Sequence, residues 1–185
     1  MSTRRDFLTI ISLLSVEAVA QSIGSPASAD AASDRPKPGD VLVAVDATSP
    51  VALEPKDIPA GGPPVRAWPM DPVDKVVRSG TRLNKLLVLR LDPSTLVGDT
   101  RDRAADGVVA YSAFCPHAGC DVTGWLADQA VIECVCHASH YDPRDAAAVI
   151  GGPATRPLPA LPLKLVDGKF VVAKPFTSRV GIVPG

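Results

Sequence analysis

The sequence predicts an all-β fold, and three observations lead there. Aromatic residues make up only 4% of the chain while Pro (19) and Gly (14) are abundant. The apolar stretches are short and bounded by turn residues, and an Asp-Gly pair separates the last two of them. Prolines and glycines at this density favour short strands joined by ordered loops over long helices. A chain of 185 residues suits one domain of roughly 100–150 residues with a targeting segment in addition. Lys and Arg number 19 against 20 Asp and Glu, so no basic field exists to hold nucleic acid or an anionic membrane surface, and neither partner is expected.

Residues 1–29 are expected to be a twin-arginine export signal. Arg4 and Arg5 precede Phe7 and Leu8, an apolar run continues through Leu14, and Ala27-Ser28-Ala29 stands ahead of Asp30; basic, apolar and small-residue segments in that order build a secretory signal. The alternative is a retained membrane anchor. A spanning helix needs about 20 apolar residues, and Glu17 and Gln21 interrupt the run. Ala18-Val19-Ala20 offers a second cleavage position. The expected localisation is therefore periplasmic, with membrane attachment only if the segment is retained. Twin-arginine export carries folded proteins, which suits a chain that receives a cofactor first.

Residues 30–40 are polar and contain proline, as a linker would, and the body is expected over 41–185. Val41 to Val45 reads as a short strand and Lys85 to Leu91 as a more buried one. Between them, Pro50 to Pro64 is broken by Pro55, Pro59, Gly61, Gly62 and Pro63 and must be mostly loop; Trp68 and Met70 beyond it read as packing residues. Val108 to Ser112 and Val131 to Cys134 read as strands that each deliver the chain into a cysteine–histidine loop. Leu163 to Val166 and Lys169 to Val172 flank Asp167-Gly168, a strong hairpin signal.

CPHAGC (115–120) and CVCHASHYD (134–142) hold all four cysteines and all three histidines of the chain. Three readings compete on residue type and spacing alone. Two structural disulfides leave the histidines without a role. A Cys2His2 zinc site usually draws both cysteines from one loop and both histidines from the other, whereas here each loop offers Cys and His together. The third reading is a metal centre that takes one cysteine and one histidine from each loop.

C-x-H-x-G-C and C-x-C-H-x-S, matched at Cys115, His117, Gly119, Cys120, Cys134, Cys136, His137 and Ser139, resemble the motifs of the Rieske iron–sulfur family. The resemblance covers about residues 85–175, and its combination of residues is specific. It implies an antiparallel β-sandwich or barrel with a small cluster-binding subdomain, about residues 112–157, holding a [2Fe-2S] cluster. By resemblance Cys115 and Cys134 bind the inner iron, His117 and His137 bind the outer one, and Cys120 and Cys136 form the family's disulfide. Ser139 and Tyr141 match positions whose hydroxyls donate to cluster and cysteine sulfur. Gly151-Gly152-Pro153-Ala154, followed by Pro157, Pro159 and Pro162, resembles the proline loop that shields the cluster, with Gly152 and Pro153 at its centre. His140 has no ligand position and is expected as a solvated loop residue. Thr155, Val135 and Ala118 depart from the residues that respiratory or quinol-oxidising members often carry.

Imidazole in place of thiolate on one iron lowers the negative charge on the cluster and places this class at about −150 to +300 mV, with hydrogen bonds from Ser139 and Tyr141 favouring the upper part. There is no C-x-x-C-H haem motif and no convincing G-x-G-x-x-G, so the chain is expected to be a one-electron relay subunit. Its partner would be a molybdenum-containing catalytic subunit, as in the small subunit of arsenite oxidase, a cytochrome c, or the quinol-oxidising site of a cytochrome bc complex. The reading from another class is a zinc or disulfide structural module. A ferredoxin of an aromatic-ring dioxygenase is disfavoured, because such proteins are cytoplasmic and generally lack the extra cysteine pair.

Overall fold

The computed structural model describes residues 26–182, so the segment with Arg4 and Arg5 lies outside the described residues. A helix, α1 (Pro26–Ser33), precedes ten strands: β1 (Val41–Ala44), β2 (Val65–Met70), β3 (Leu86–Arg90), β4 (Val108–Ser112), β5 (Gly124–Leu126), β6 (Val131–Cys134), β7 (Ser139–Asp142), β8 (Ala148–Gly151), β9 (Leu163–Val166) and β10 (Lys169–Val172). One further short helix, α2 (Asp99–Arg103), lies between β3 and β4. The all-β expectation is met. Among the described residues no helix is long and apolar enough to cross a membrane.

Six strands form an antiparallel sheet in the order β4-β3-β2-β1-β10-β9. Its edges are joined through residues 159–161: Ser112 N donates to Pro159 O at 2.8 Å and Leu161 N to Ala110 O at 2.9 Å. The sheet thereby curls into a barrel, which leaves few unpaired strand groups. Leu42, Ala67, Leu86, Val88, Ala110, Phe170 and Val172 fill its interior. The hairpin at Asp167-Gly168 forms as expected, with both residues at positive φ (50° and 74°), the backbone that a two-residue primed turn requires.

A second sheet, β5-β6-β7-β8, is inserted between β4 and β9. Its inward face, Ile132, Cys134, Tyr141 and neighbours, packs against Leu87, Leu89, Val109 and Tyr111 on the outer face of the barrel. Tyr111 Oη also donates to Pro143 O at 2.7 Å, pinning the far end of the insert. The insert therefore sits on a rigid wall.

One strand was not anticipated, and two further segments differ from the sequence expectation. β2 lies in mid-sheet despite Pro69, which pairs opposite Leu42; a proline argues against a central strand because it lacks the N–H. Trp68 and Met70 are strand residues there, and Met70 is buried. Residues 30–40 are docked on the body, although their composition suggested a linker. Gly80 N donates to Ala32 O at 2.9 Å, Arg35 Nη1 to Asn84 Oδ1 at 2.8 Å, and the buried Arg78 takes Asp40 in a two-point ion pair at 2.6 and 2.9 Å. The polarity of this segment serves specific buried and half-buried partners. Finally, His140 is half-buried on β7, facing Glu133 of β6 at 3.4 Å, and is not a solvated loop residue. Strand alternation explains it: Ser139 and Tyr141 point inward, so His140 between them must face the other side.

Candidate metal centre

Two hairpin tips carry the cysteine–histidine motifs. The first follows β4, where Cys115 N donates to Cys120 O and Gly119 N to Cys115 O, both at 2.9 Å, so that His117 rides on the closed turn. The second is the hairpin of β6 and β7: Cys134 stands opposite Ser139, leaving residues 135–138 as its loop. Cys136 and Cys120 are joined in a disulfide across the two tips.

The remaining four groups sort by chemistry and depth. Cys115 and Cys134 are free thiols, each 1% exposed. His117 and His137 are exposed, their rings packed edge to face with centroids 4.8 Å apart. Burial pushes the Cys134 thiol up, and the neighbouring Cys115 pushes it the same way. Such a thiol becomes a thiolate readily when a metal cation supplies the compensating charge. The Tyr141 hydroxyl lies 3.3 Å from Cys115 Sγ. Burial, and then the neighbouring Cys115, push its phenol well above the usual range, so it remains a hydroxyl able to donate to that sulfur.

The sulfurs of Cys120, Cys134 and Cys136 also lie within 4.8 Å of one another, but two of them are bonded and offer no thiolate to an ion. The fully disulfide-linked reading fails as well, since only one pair is bonded. A pair of buried thiols and a pair of exposed imidazoles at one end is a donor set that fits a two-iron cluster.

The third wall comes from the segment after β8. Ala154 N donates to the buried Ser139 Oγ at 3.2 Å. Gly152, at φ 79°, lies so close to the second hairpin that a Cβ there would stand 2.2 Å from Ala138 O. Pro153 is exposed on the outer side of this loop. The two cysteine–histidine tips are tied together by the Cys120–Cys136 disulfide, and Gly152 and Ala154 of the proline loop lie against the second of them, whereas Pro159 and Pro162 bond to the barrel through Ser112 N and Ala173 N. Sequence reasoning missed the supports behind the first hairpin, Arg82, Lys85 and Asp121, which lie outside the motifs and carry no spacing signal. The Arg82 guanidinium sits 4.8 Å from the Phe114 ring centroid, and Lys85 Nζ pairs with Asp121.

The disulfide closes a separation of 16 residues, for which loop-closure entropy gives about 3 kcal/mol. Replacing Cys120 and Cys136 with serine is expected to lower the midpoint of thermal unfolding by roughly 5–10 °C. Scanning calorimetry of the double variant against wild type checks it, and treating wild type with a strong thiol reductant should reproduce the shift.

The Rieske [2Fe-2S] domain family model matches residues 74–162. A cytochrome bc1 complex Rieske iron-sulfur subunit of Streptomyces lividans is 32% identical over 139 residues, 73% of this chain and 79% of that protein. A protein of Haloferax mediterranei, provisionally described as a respiratory nitrate reductase Rieske subunit, is 36% identical over 99 residues, 48% of this chain and 44% of that protein; the chain thus spans less than half of this relative. Among solved structures, the ferredoxin of carbazole 1,9a-dioxygenase from Nocardioides aromaticivorans superposes with a TM-score of 0.45 at 22% identity, over 69% of this chain and 99% of that one. With identity sustained across most of the Streptomyces protein and both motifs folded into one end of the insert, the chain belongs to the Rieske [2Fe-2S] family and is an electron-transfer protein with that cluster as its cofactor.

Proposed function

We propose that Cys115 and Cys134 hold the inner iron of the cluster, that His117 and His137 hold the outer one, and that the chain is the one-electron relay subunit of an exported, periplasmic respiratory oxidoreductase. The observation that carries this reading is the division of the four groups by depth, with both thiols buried and both imidazoles at the surface. The cluster, when bound, accepts and returns a single electron.

The protein's own residues would do the rest. The imidazole edges present the route by which an electron enters or leaves. Ala118 and Val135, both exposed beside them, give the tip an apolar surface that can seat against a partner and exclude water. Val122, Ile132 and Leu158, packed around Cys115 and Cys134, keep water from the inner side. Ser139 and Tyr141 stabilise the more negative reduced state by donating hydrogen bonds to sulfur. Ser139→Ala and Tyr141→Phe are each expected to lower the midpoint potential, read by a redox titration of the visible or paramagnetic signal; an unchanged potential in both variants refutes this tuning.

The favoured partner is a molybdenum-containing catalytic subunit, in an arrangement similar to that of arsenite oxidase. A small Ala118 at the tip and the interrupted apolar run of the first segment support it. The second reading, the quinol-oxidising Rieske subunit of a cytochrome bc complex, is favoured by the likeness to the Streptomyces lividans subunit. Purification of the native complex from its host separates them. A co-purifying molybdenum protein supports the first; a b-type haem protein supports the second and overturns the first.

A further inference from the structure

The turn that carries His117 is gripped from behind by a residue outside both motifs. Arg82 sits on the short 3-10 turn Arg82–Asn84 that leads into β3, so it belongs to the barrel and not to the insert. Its Nη2 donates to Gly119 O, and its guanidinium carbon lies over the ring of Phe114, 4.8 Å from the centroid. Phe114 and Gly119 flank the segment Cys115 to Ala118, so one side chain holds both ends of the turn. The intervening Gly119 N to Cys115 O bond at 2.9 Å closes the turn between those two contacts.

Gly119 shows how tightly this junction is packed. At φ 74°, a Cβ there would stand 2.9 Å from Phe114 Cζ, 3.1 Å from Arg82 Nη2 and 3.3 Å from Ile182 Cδ1. Directly beyond, Lys85 is paired with Asp121, while Arg82 Nη1 is 4.0 Å from the other oxygen of that carboxylate. Two cations and one carboxylate leave a positive balance beside the first hairpin. No comparable cation is bonded to the second hairpin loop, residues 135–138, among the described residues.

We propose that Arg82 is a positioning residue of the redox centre: set over the Phe114 ring and bonded to the Gly119 carbonyl, its guanidinium fixes the turn presenting His117 and places a positive charge that favours the reduced state. This inference rests on the ligand reading given above. Adding an electron makes the cluster more negative, so a nearby cation raises the potential. The Arg82 side chain is 56% exposed, so salt must weaken the charge effect, while the brace on the turn persists.

The test uses the full chain with its cluster, as Arg82→Met and Arg82→Lys. In Arg82→Met the midpoint potential is expected to fall below wild type, with the gap narrowing as ionic strength rises; Arg82→Lys, which keeps the charge, is expected to remain close to wild type. In the cluster-free chain, exchange of the Gly119 amide should be about tenfold faster in Arg82→Met, since a charge-assisted bond to the turn is lost. A wild-type midpoint in Arg82→Met at all salt concentrations, or an equal fall in Arg82→Lys, overturns the proposal. A wild-type protein without an iron signal defeats the ligand reading instead, and the exchange rates then decide whether Arg82 braces the turn.

Discussion

Replacing Arg78 with methionine is expected to destabilise the protein by about 4 kcal/mol, a fall of roughly 12 °C in melting temperature for a chain of this size. The guanidinium is 2% exposed and its partner Asp40 3%. Their two-point contact at 2.6 and 2.9 Å is joined by Asp71 at 3.5 Å, by the Ala31 carbonyl at 3.2 Å, and by Asp34 at 3.7 Å. Removing the cation leaves the Asp40 carboxylate buried without its charge partner, and that orphaned charge is the main cost. It also removes the Arg78 contacts to Ala31 and Asp34, loosening residues 31–34, while Gly80 N to Ala32 O and the Arg35–Asn84 bond remain. Combining Arg78→Met with Asp40→Leu should therefore cost clearly less than the two single changes added together. Thermal unfolding of the three variants checks the prediction; additive losses, or a loss below about 1 kcal/mol for Arg78→Met, contradict it.

Gly152→Ala is expected to lift the third loop from the second hairpin and to cost about 4 kcal/mol from strain and overlap combined. The new Cβ would meet Ala138 O at 2.2 Å and Ser139 Cα at 2.5 Å. Both are backbone atoms that cannot rotate away. The displaced loop would take with it the Ala154 N to Ser139 Oγ bond, exposing the inner side of the site. Gly61 supplies the control: its φ is 74°, close to that of Gly152, but an added Cβ meets nothing within 4 Å. Gly61→Ala should thus show the backbone strain alone, about 1–2 kcal/mol, with the cluster retained. Bleaching of the visible spectrum on warming, compared between the two variants, reads the difference; equal rates would mean that contact with Ala138 is irrelevant.

The parts of the fold legible in the sequence are those specified locally. β1, β3, β4, β6 and the β9–β10 hairpin follow from short apolar runs and a turn pair whose backbone only certain residues adopt. The residues of the cysteine–histidine loops were legible for a similar reason, since scarce residue types clustered in fixed spacing leave few chemical roles. β2 was not, because Pro69 signals a break and its place in mid-sheet depends on neighbours far away in sequence. β7 was hidden because Ser139, His140 and Tyr141 read as parts of a motif, and their alternation of faces appears only once β6 pairs with them. The docked segment 30–40 was misread for a related reason: polar composition resembles a linker unless Arg78 and Asn84 are known to await it. Arg82 escaped altogether, since nothing in its own neighbourhood announces a carbonyl 37 positions downstream.

Paramagnetic resonance of the reduced, natively purified protein with nitrogen-15 in its histidines tests the ligand set most directly. Two irons per chain and a low-temperature signal coupled to two imidazole nitrogens are expected, with the cluster lost in Cys115→Ser and Cys134→Ser. A colourless, iron-free protein after expression with functional cluster assembly, or a cluster signal without histidine nitrogen coupling, would contradict it.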